Sequence, residues 1–394
     1  MYSIQLYTYI RDLKNRAGGI NMLYRRVALL DMDSYFASIE CFRNSFLAKK
    51  PMAVIGHGEK TVVTSPNAVA KKYGVRTGMT INEARSLCPE IVFIKADFAY
   101  YEFTTLKIVQ LIEKYFPVYK EASIDEFYIA LDPVDKSIER LKDLKEAIRS
   151  TLGLSCTIGV GMNPIIAKTA CEFSKPNGFF VVDNLKEFSY FVDIKSVPGI
   201  GKSTAEAFEK LGIRFLSDLL KTEFPEGSEI SRLKFLITKE YTEPEFFERR
   251  LPKSVGHFYT FDKSLRNFDE GAEILTYLLY GLYSKILRNR MGAKSLSVLV
   301  RFHNGTRLGL SRSFGVPVSD FTLLKNVALE MLRKVWKDKP VVKMGVTLGN
   351  LKKVNGKQLN LFWHDEESRY ERLSFVEDIH FGGFLTFKDK KAVS

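Results

Sequence analysis

The stretch "EASIDEFYIALD", residues 121–132, decides how the N-terminal half of this chain is read. It contains two short apolar strand segments with Asp125 and Glu126 side by side between them. Successive side chains of a flat strand point to opposite faces, so adjacent acids there should not share a task. Each acid is also costly to bury alone. Either one of them faces solvent, or the chain bends here and both carboxylates point at something positive. The bend carries a definite expectation: Ile124 and Phe127 pack into the core while both carboxylates face a cleft.

Working outward, "RRVALLDMD" (25–33) is a continuous apolar run ending in acids, the pattern of a buried strand whose C-terminal end reaches a site. "SYFASIECF" continues as a helix, with Tyr35, Ile39 and Phe42 at helical spacing and Asp33 or Ser34 as the cap. "KPMAVIG" and "TVVTSP" read as strands, and "NAVAKKYGV" and "TINEARSLCP" as short helices. They suggest a subdomain inserted at about residues 43–98. A long amphipathic helix (100–116) leads into the opening hairpin. Helix, strand, helix and strand then follow to "GFFVVD". The order from 25 to 183 predicts an α+β sheet layered with helices. A new unit begins near 186, and "RRLPKSVGHFYTF" (249–261) reads as a linker. Beyond it, two helices alternate with the strands "AKSLSVLVRFH" and "VVKMGVTLGNLKKV", a second α+β domain.

At 394 residues the chain is long for one core and suggests about two to four domains. No apolar run approaches the length of a membrane span, and polar residues interrupt the N-terminus too often for a signal peptide. Cys41, Cys88, Cys156 and Cys171 show no CxxC spacing, which favours a reducing compartment without structural zinc or disulfides. A soluble, cytoplasmic protein is expected. The net charge is +13, and between Val255 and Trp363 lysine and arginine outnumber the acids 18 to 7. Scattered lysines are ordinarily a solvated face. An excess this concentrated fits a polyanion such as nucleic acid better than a membrane surface, because no strongly amphipathic helix accompanies it.

Asp31 and Asp33 alone are a weak signal, as is Asp125-Glu126. Together they place carboxylates at the end of one strand and at the joint of a strand pair in the same sheet. Converging carboxylates repel unless a cation neutralises them. Hard oxygen ligands without His or Cys favour Mg²⁺ or Mn²⁺. That arrangement suits phosphoryl transfer with two ions about 3.5–4 Å apart. A triphosphate needs cations. Lys168 and Lys175 stand seven residues apart on one helix face and at its end, with Lys71, Lys72 and Arg76 elsewhere. Any one of these lysines is ordinarily a solvent-exposed helix residue. In "SVPGIGKSTAEAFEKLGI" (196–213), P-G-I-G between two helices lets backbone N–H groups approach a phosphate, a helix-hairpin-helix grip on DNA. "GKQLNLFWHD" has the form of a linear peptide that docks in an apolar groove; the plain alternative is an edge strand.

The motifs "LLDMDSYFASIE", "AVAKKYGVRTGM", "ASIDEFYIALD", "TIGVGMNPIIAKTACEFSKPNG", "VPGIGKSTAEAFEKLGI" and "KSVGHF" come in one order. In that order the chain resembles the Y-family translesion DNA polymerases, the DinB (polymerase IV) and UmuC group, from about residue 25 to 375. The resemblance implies a right-hand-like architecture. Its parts are a palm (22–42 and 99–185), fingers (43–98), a helix-hairpin-helix thumb (186–252) and an α+β little finger (253–363). An N-terminal extension (1–21) precedes the usual family start, with Met22 as a candidate true initiator and an extension with a role of its own as the lesser alternative, and a C-terminal tail (364–394) follows. It carries metal and catalytic roles onto Asp31, Asp125 and Glu126, with the Met32 backbone carbonyl as a further ligand. Phe36 falls at the steric gate that excludes a 2′-OH, and Tyr35, Ser65, Lys71 and Lys175 at nucleotide-binding positions. Asp33 and Lys168 fall at supporting positions. Gly199, Gly201 and Lys202 fall on the DNA grip. Gln358, Leu359, Leu361 and Phe362 match a peptide that binds the bacterial sliding clamp.

The fingers depart from the family pattern. Where many DinB-type members carry Tyr and Arg, this chain has Ala68 and Lys71. Lysine keeps the charge without the planar fork of arginine, and Ala68 contributes no hydroxyl. The expected protein is a DNA-directed DNA polymerase using two Mg²⁺ (or Mn²⁺) ions, dNTPs and primed, damaged DNA. It is expected to lack proofreading and to be a monomer tethered to a clamp. The alternatives are a non-catalytic clamp-tethered scaffold of the same fold and a metal-dependent nuclease. Three clustered carboxylates have no use in a scaffold, and a nuclease would leave the nucleotide-binding lysines and the gate idle.

Overall fold

The computed structural model describes residues 24–56, 61–131, 136–242, 244–248, 252–336 and 339–354. Strand β1 (Arg26–Met32) and helix α1 (Tyr35–Arg43) open the described chain. An inserted unit follows: α2 (Ser45–Ala48), β2 (Met52–Ile55), β3 (Val63–Pro66), α3 (Ala68–Lys72), α4 (Ile81–Leu87) and β4 (Val92–Lys95). Within it β2 lies between antiparallel β3 and parallel β4. The chain returns through α5 (Phe98–Tyr115), β5 (Tyr119–Glu121), β6 (Glu126–Leu131), α6 (Ser137–Leu152), β7 (Cys156–Gly161), α7 (Pro164–Ser174) and β8 (Phe179–Val181).

Sheet order β5-β6-β1-β7-β8 puts β1 at the centre, antiparallel to both β6 and β7. A strand covered on both faces reads as an unbroken apolar run, and β1 is buried from Val27 to Met32. Its two faces have different tasks. Ala28, Leu30 and Met32 enter the main core with Ile108 and Ile112 of α5 and Leu141, Leu144 and Ile148 of α6. Leu29 packs instead on Ala167 and Cys171 of α7. Helix α7 lies directly on β7: a β-carbon at Gly159 would fall 2.2 Å from the Cys171 amide nitrogen and 2.3 Å from the Ala167 carbonyl oxygen.

The third unit comprises α8 (Leu185–Ser189), a 3₁₀ turn (Ile194–Ser196), α9 (Lys202–Lys210), α10 (Leu216–Lys221) and α11 (Glu229–Thr238). Ile194, Phe208, Leu216 and Leu219 are among its buried centre. P-G-I-G joins the 3₁₀ turn to α9, not two α-helices, because the residue before Pro198 is disfavoured in helical conformation. The fourth unit is β9 (Ser254–Leu265), α12 (Phe268–Arg288), β10 (Met291–Phe302), β11 (Arg307–Val318), α13 (Phe321–Val335), β12 (Val341–Gly349) and β13 (Lys352–Lys353). Its sheet runs β11-β10-β12-β9, and its core joins residues of α12 and α13 to alternate strand residues such as Leu296, Val298, Met344 and Val346.

Two further sequence expectations change. The linker reading of 249–261 fails from Ser254 onward, which is strand β9; its alternation is muted because one residue set is exposed and the other only half-buried. Strand β11 is unanticipated. It is an edge strand, mostly exposed, in which Gly309, Gly315, Pro317 and two serines break up the apolar signal.

The close approach of α7 to β7 sets a test. Gly159→Ala forces the helix off the strand, and overpacking of this kind costs about 1–3 kcal/mol. A lowered unfolding midpoint in urea is expected; an unchanged midpoint contradicts the packing described.

Candidate active site

Asp31 and Glu126 are direct partners in the β1–β6 ladder, so their side chains share a face of the sheet. That face is covered by α7, which supplies one ammonium to each acid. Lys168 Nζ stands 2.6 and 2.9 Å from the two Glu126 carboxylate oxygens. Lys175, at the C-cap of α7, reaches Asp31 Oδ2 at 2.8 Å and Glu172 Oε1 at 2.7 Å.

The chain bends between β5 and β6. The amides of Ala122 and Ser123 both donate to the Glu126 carbonyl, at 2.9 and 3.3 Å. The Ser123 hydroxyl accepts from the amides of Asp125 and Glu126, at 3.3 and 3.1 Å. Phe127 is fully buried, and Ile124 is half-buried against the same core. Thr105 Oγ1 donates to the Ile124 carbonyl at 2.8 Å. Asp125 stops short of the other two acids: its Oδ1 accepts from Ser123 Oγ at 2.5 Å. Its charge acts on Tyr35, whereas Glu126 acts on Asp31. Among the described residues, no three His, Cys, Asp or Glu stand close enough to hold a metal ion. Two of the expected carboxylates are brought together, and a serine hydroxyl engages the third.

Burial pushes the Asp31 carboxyl up to about 7, against the pull of Lys175 and with Glu126 and Glu172 adding repulsion. For Lys175, burial works downward, but the ion pair with Asp31 and the bond to Glu172 outweigh it and raise the ammonium above its ordinary value. One ammonium therefore does not offset the burial of Asp31, and the site favours further positive charge. The neighbouring thiols offer no soft alternative, since burial pushes Cys156 up to about 12 and raises Cys171 as well. Hard carboxylate oxygens short of positive charge fit a divalent cation of the Mg²⁺ type.

Asp33 works elsewhere. It accepts from Thr157 Oγ1 at 2.8 Å and from the Asn177 amide at 2.9 Å, tying the "KPNG" turn to β7. Neither Asp33 nor Ser34 caps α1 through its side chain: Ser34 takes a left-handed conformation (φ 46°), and its hydroxyl pairs with Lys71 Nζ at 2.6 Å. Of the apolar face expected for α1, Tyr35 and Ile39 are buried, but Phe42 is 62% exposed. The Tyr35 hydroxyl donates to the Tyr101 carbonyl (3.0 Å) and pairs with Thr105 Oγ1 (2.9 Å), so its side chain is a core element. Ser65 is buried, its hydroxyl accepting from the Ala37 amide at 3.3 Å.

The half-buried Phe36 ring stacks on Tyr101 with centroids 4.5 Å apart and planes at 16°, and meets Phe98 edge-on at 5.7 Å. Tyr101 donates to Glu40 Oε1 at 2.8 Å. Arg43 bridges Glu40 (3.2 Å) and Asp97 (3.0 Å). Sequence reading missed this support for Phe36, because its members are 61 and 54 residues apart. It also placed Lys168 in the background, where its seven-residue spacing from Lys175 was the available signal.

In the third unit Gly199 has φ +94°, a conformation that favours glycine. Gly201 is the N-cap of α9, and the Lys202 side chain is 93% exposed. Gln358, Leu359, Leu361 and Phe362 lie outside the described residues. No helix among the described residues is long and apolar enough to cross a membrane.

A central sheet with acids at its strand ends, an inserted unit, a small helical unit and a basic α+β unit define a multidomain polymerase architecture. The sequence matches the impB/mucB/samB family over residues 30–172 and the C-terminal domain of that family over residues 252–361. It is 28% identical over 353 residues to DNA polymerase IV of Fusobacterium nucleatum, covering 84% of this chain and 97% of that one. It is 25% identical over 372 residues to DNA polymerase IV of Oceanobacillus iheyensis, covering 90% and 88%. Among solved structures it is similar to a Y-family DNA polymerase chimera, Dbh-Dpo4(243-245)-Dbh, with a TM-score of 0.73, 26% identity and coverage of 84% and 100%. The chain belongs to the impB/mucB/samB family, the Y-family polymerases of DinB type, and is a DNA-directed DNA polymerase of the translesion class.

Asp31 also predicts a pH dependence. Its folded value lies above the ordinary 3.8, so between about pH 4 and 7 the folded state keeps a proton that the unfolded state has lost. Stability from this group is present at low pH and is lost as pH rises through the folded value. Urea titrations of the metal-free protein across that window should show a steeper fall for wild type than for Asp31→Asn; parallel curves would contradict the assignment.

Proposed function

We propose that Asp31, Asp125 and Glu126, with the Met32 carbonyl, hold two divalent cations, Mg²⁺ or Mn²⁺, at the ends of β1 and β6. The observation that supports this most is the opposition of Asp31 and Glu126, each held by a single lysine in a setting that favours more positive charge. Ions bound there supply Lewis-acid stabilisation to a phosphoryl transfer. In the reaction, the primer 3′-oxygen forms a bond to the α-phosphorus of a dNTP, the bond to pyrophosphate breaks, and the hydroxyl proton departs to solvent. Asp125 would release Ser123 to join the site. Lys175 would exchange Asp31 for the triphosphate, and Lys71 would add charge from the fingers. Tyr35 and Ser65 would act through the backbone they anchor at the start of α1.

Phe36, braced by Tyr101, would lie under the sugar and exclude a 2′-OH. The palm (22–42 and 99–185), fingers (43–98), thumb (186–252) and little finger (253–363) would then divide the work. Gly199, Gly201 and Lys202 would present amides and charge to the DNA backbone. The basic little finger would grip primed DNA through phosphates. We further propose that the chain acts as a monomer without proofreading, so that fidelity rests on the pocket. The Gln358–Phe362 peptide would tether it to a sliding clamp and raise its effective concentration at the primer end.

Primer extension with dNTPs and Mg²⁺ tests the site. Wild type should extend, and the double variant Asp125→Ala, Glu126→Ala should not; equal extension by both would remove these residues from the chemistry. Replacing Phe36 by Ala should raise ribonucleotide incorporation by roughly 100-fold relative to deoxynucleotide. Unchanged sugar selection would end the gate assignment.

A further inference from the structure

The face of the β11-β10-β12-β9 sheet that carries Arg301 and Leu299 holds an ordered set of side chains. Cross-strand register places Arg307, Arg301, Lys343 and Thr260 in one row. The next row on the same face is Gly309, Leu299, Gly345 and Phe258. Adjacent strands are about 4.8 Å apart, so the three cations form a short basic track beside an apolar trough. None of the three is in an ion pair with another described residue. A depression of about 240 Å³ lies here, lined by Phe258, Leu299, Arg301, Arg307 and Lys343.

Phe258 does not stand up from the sheet. A β-carbon on Gly345 would fall 2.1 Å from its Cδ1 and 2.6 Å from its Cγ, and one on Gly256 would fall 3.4 Å from its Cε2. The ring therefore leans across the space that two missing side chains leave. It remains 41% exposed, with Lys343 Nζ 5.5 Å from its centroid. An aromatic ring laid over glycine beside three unneutralised cations is the combination that single-stranded nucleic acid requires: charge for the phosphates and a π-surface for a base.

We propose that Phe258 is a stacking platform for an unpaired nucleobase of a DNA strand whose phosphates run along Arg307, Arg301 and Lys343. The ring has no donor to offer a phosphate. A duplex covers both faces of its bases with neighbouring bases, so the exposed ring face is matched by a base outside the stack. The inference rests on the proposed role of this domain in gripping DNA, and adds to it a preference for single-stranded template over duplex.

The test uses the full chain and fluorescence anisotropy with two probes, a short single-stranded oligodeoxynucleotide and a blunt duplex of equal length. A 2-aminopurine in the single strand reports stacking. Phe258→Ala should weaken single-strand binding about tenfold, leave duplex binding within about twofold, and abolish the quenching that Phe258 contributes. The slope of log affinity against log salt should not change, because no phosphate contact is lost. Phe258→Trp should restore both affinity and quenching. In contrast, Arg301→Gln should weaken both probes and lower the salt slope by about one. An equal loss on both probes with Phe258→Ala, or no loss, overturns the stacking platform while a shifted slope for Arg301→Gln leaves the DNA grip standing. If Arg301→Gln changes neither affinity nor slope, the grip and the platform fail together.

Discussion

Two carboxylates face each other across a pair of strands, and the rest of the N-terminal half is arranged to make that tolerable. Asp31 and Glu126 are opposite residues in the β1–β6 ladder, on the face covered by α7. Like charges so placed repel, and Asp31 is buried, which disfavours its ionised form further. The compensation comes from one helix, which sends Lys168 to Glu126 and Lys175 to Asp31. The electrostatic cost of keeping acids here is the reason the site favours further positive charge.

That compensation depends on how closely α7 can approach the sheet. Gly159 allows the helix backbone to rest on β7, and Gly161 likewise leaves no room for a β-carbon beside Ile166 and Ala167. Asp33 ties the loop after α7 back to the same strand through the Asn177 amide and Thr157. The lysine positions therefore follow from backbone packing and a hydrogen-bonded turn, and less from the flexible side chains themselves. A comparable logic holds Phe36, whose partner Tyr101 is fixed by a buried carboxylate, Glu40, and in turn by Arg43 and Asp97. Both arrangements rest on charged groups one step removed: Asp33 behind the lysines, and Glu40, Arg43 and Asp97 behind Tyr101.

At the far end of the chain the same economy of small residues recurs. Gly345 and Gly256 remove side chains from one face of a sheet so that Phe258 can lean across it. The opposite face is filled by the core shared with α12 and α13. One surface of the sheet is thus apolar and closed, and the other is basic and open.

Much of this was legible in the residues. The apolar run of β1, the helix periods and the order of the motifs determined the α+β class, the inserted unit and the family, because burial on both faces or on one leaves a period in the sequence. The bend at Ser123–Asp125 was legible as well, from two adjacent acids that a flat strand cannot use together. Strand β11 was not, because an exposed edge imposes no alternation. Nor was the location of Asp125, which a hydroxyl two residues away decides. Only the tertiary structure could pair Lys175 with Asp31, 144 residues apart, or lay Phe258 over Gly345. Such contacts depend on register and on the closeness of packed backbones, and neither leaves a local pattern along the chain.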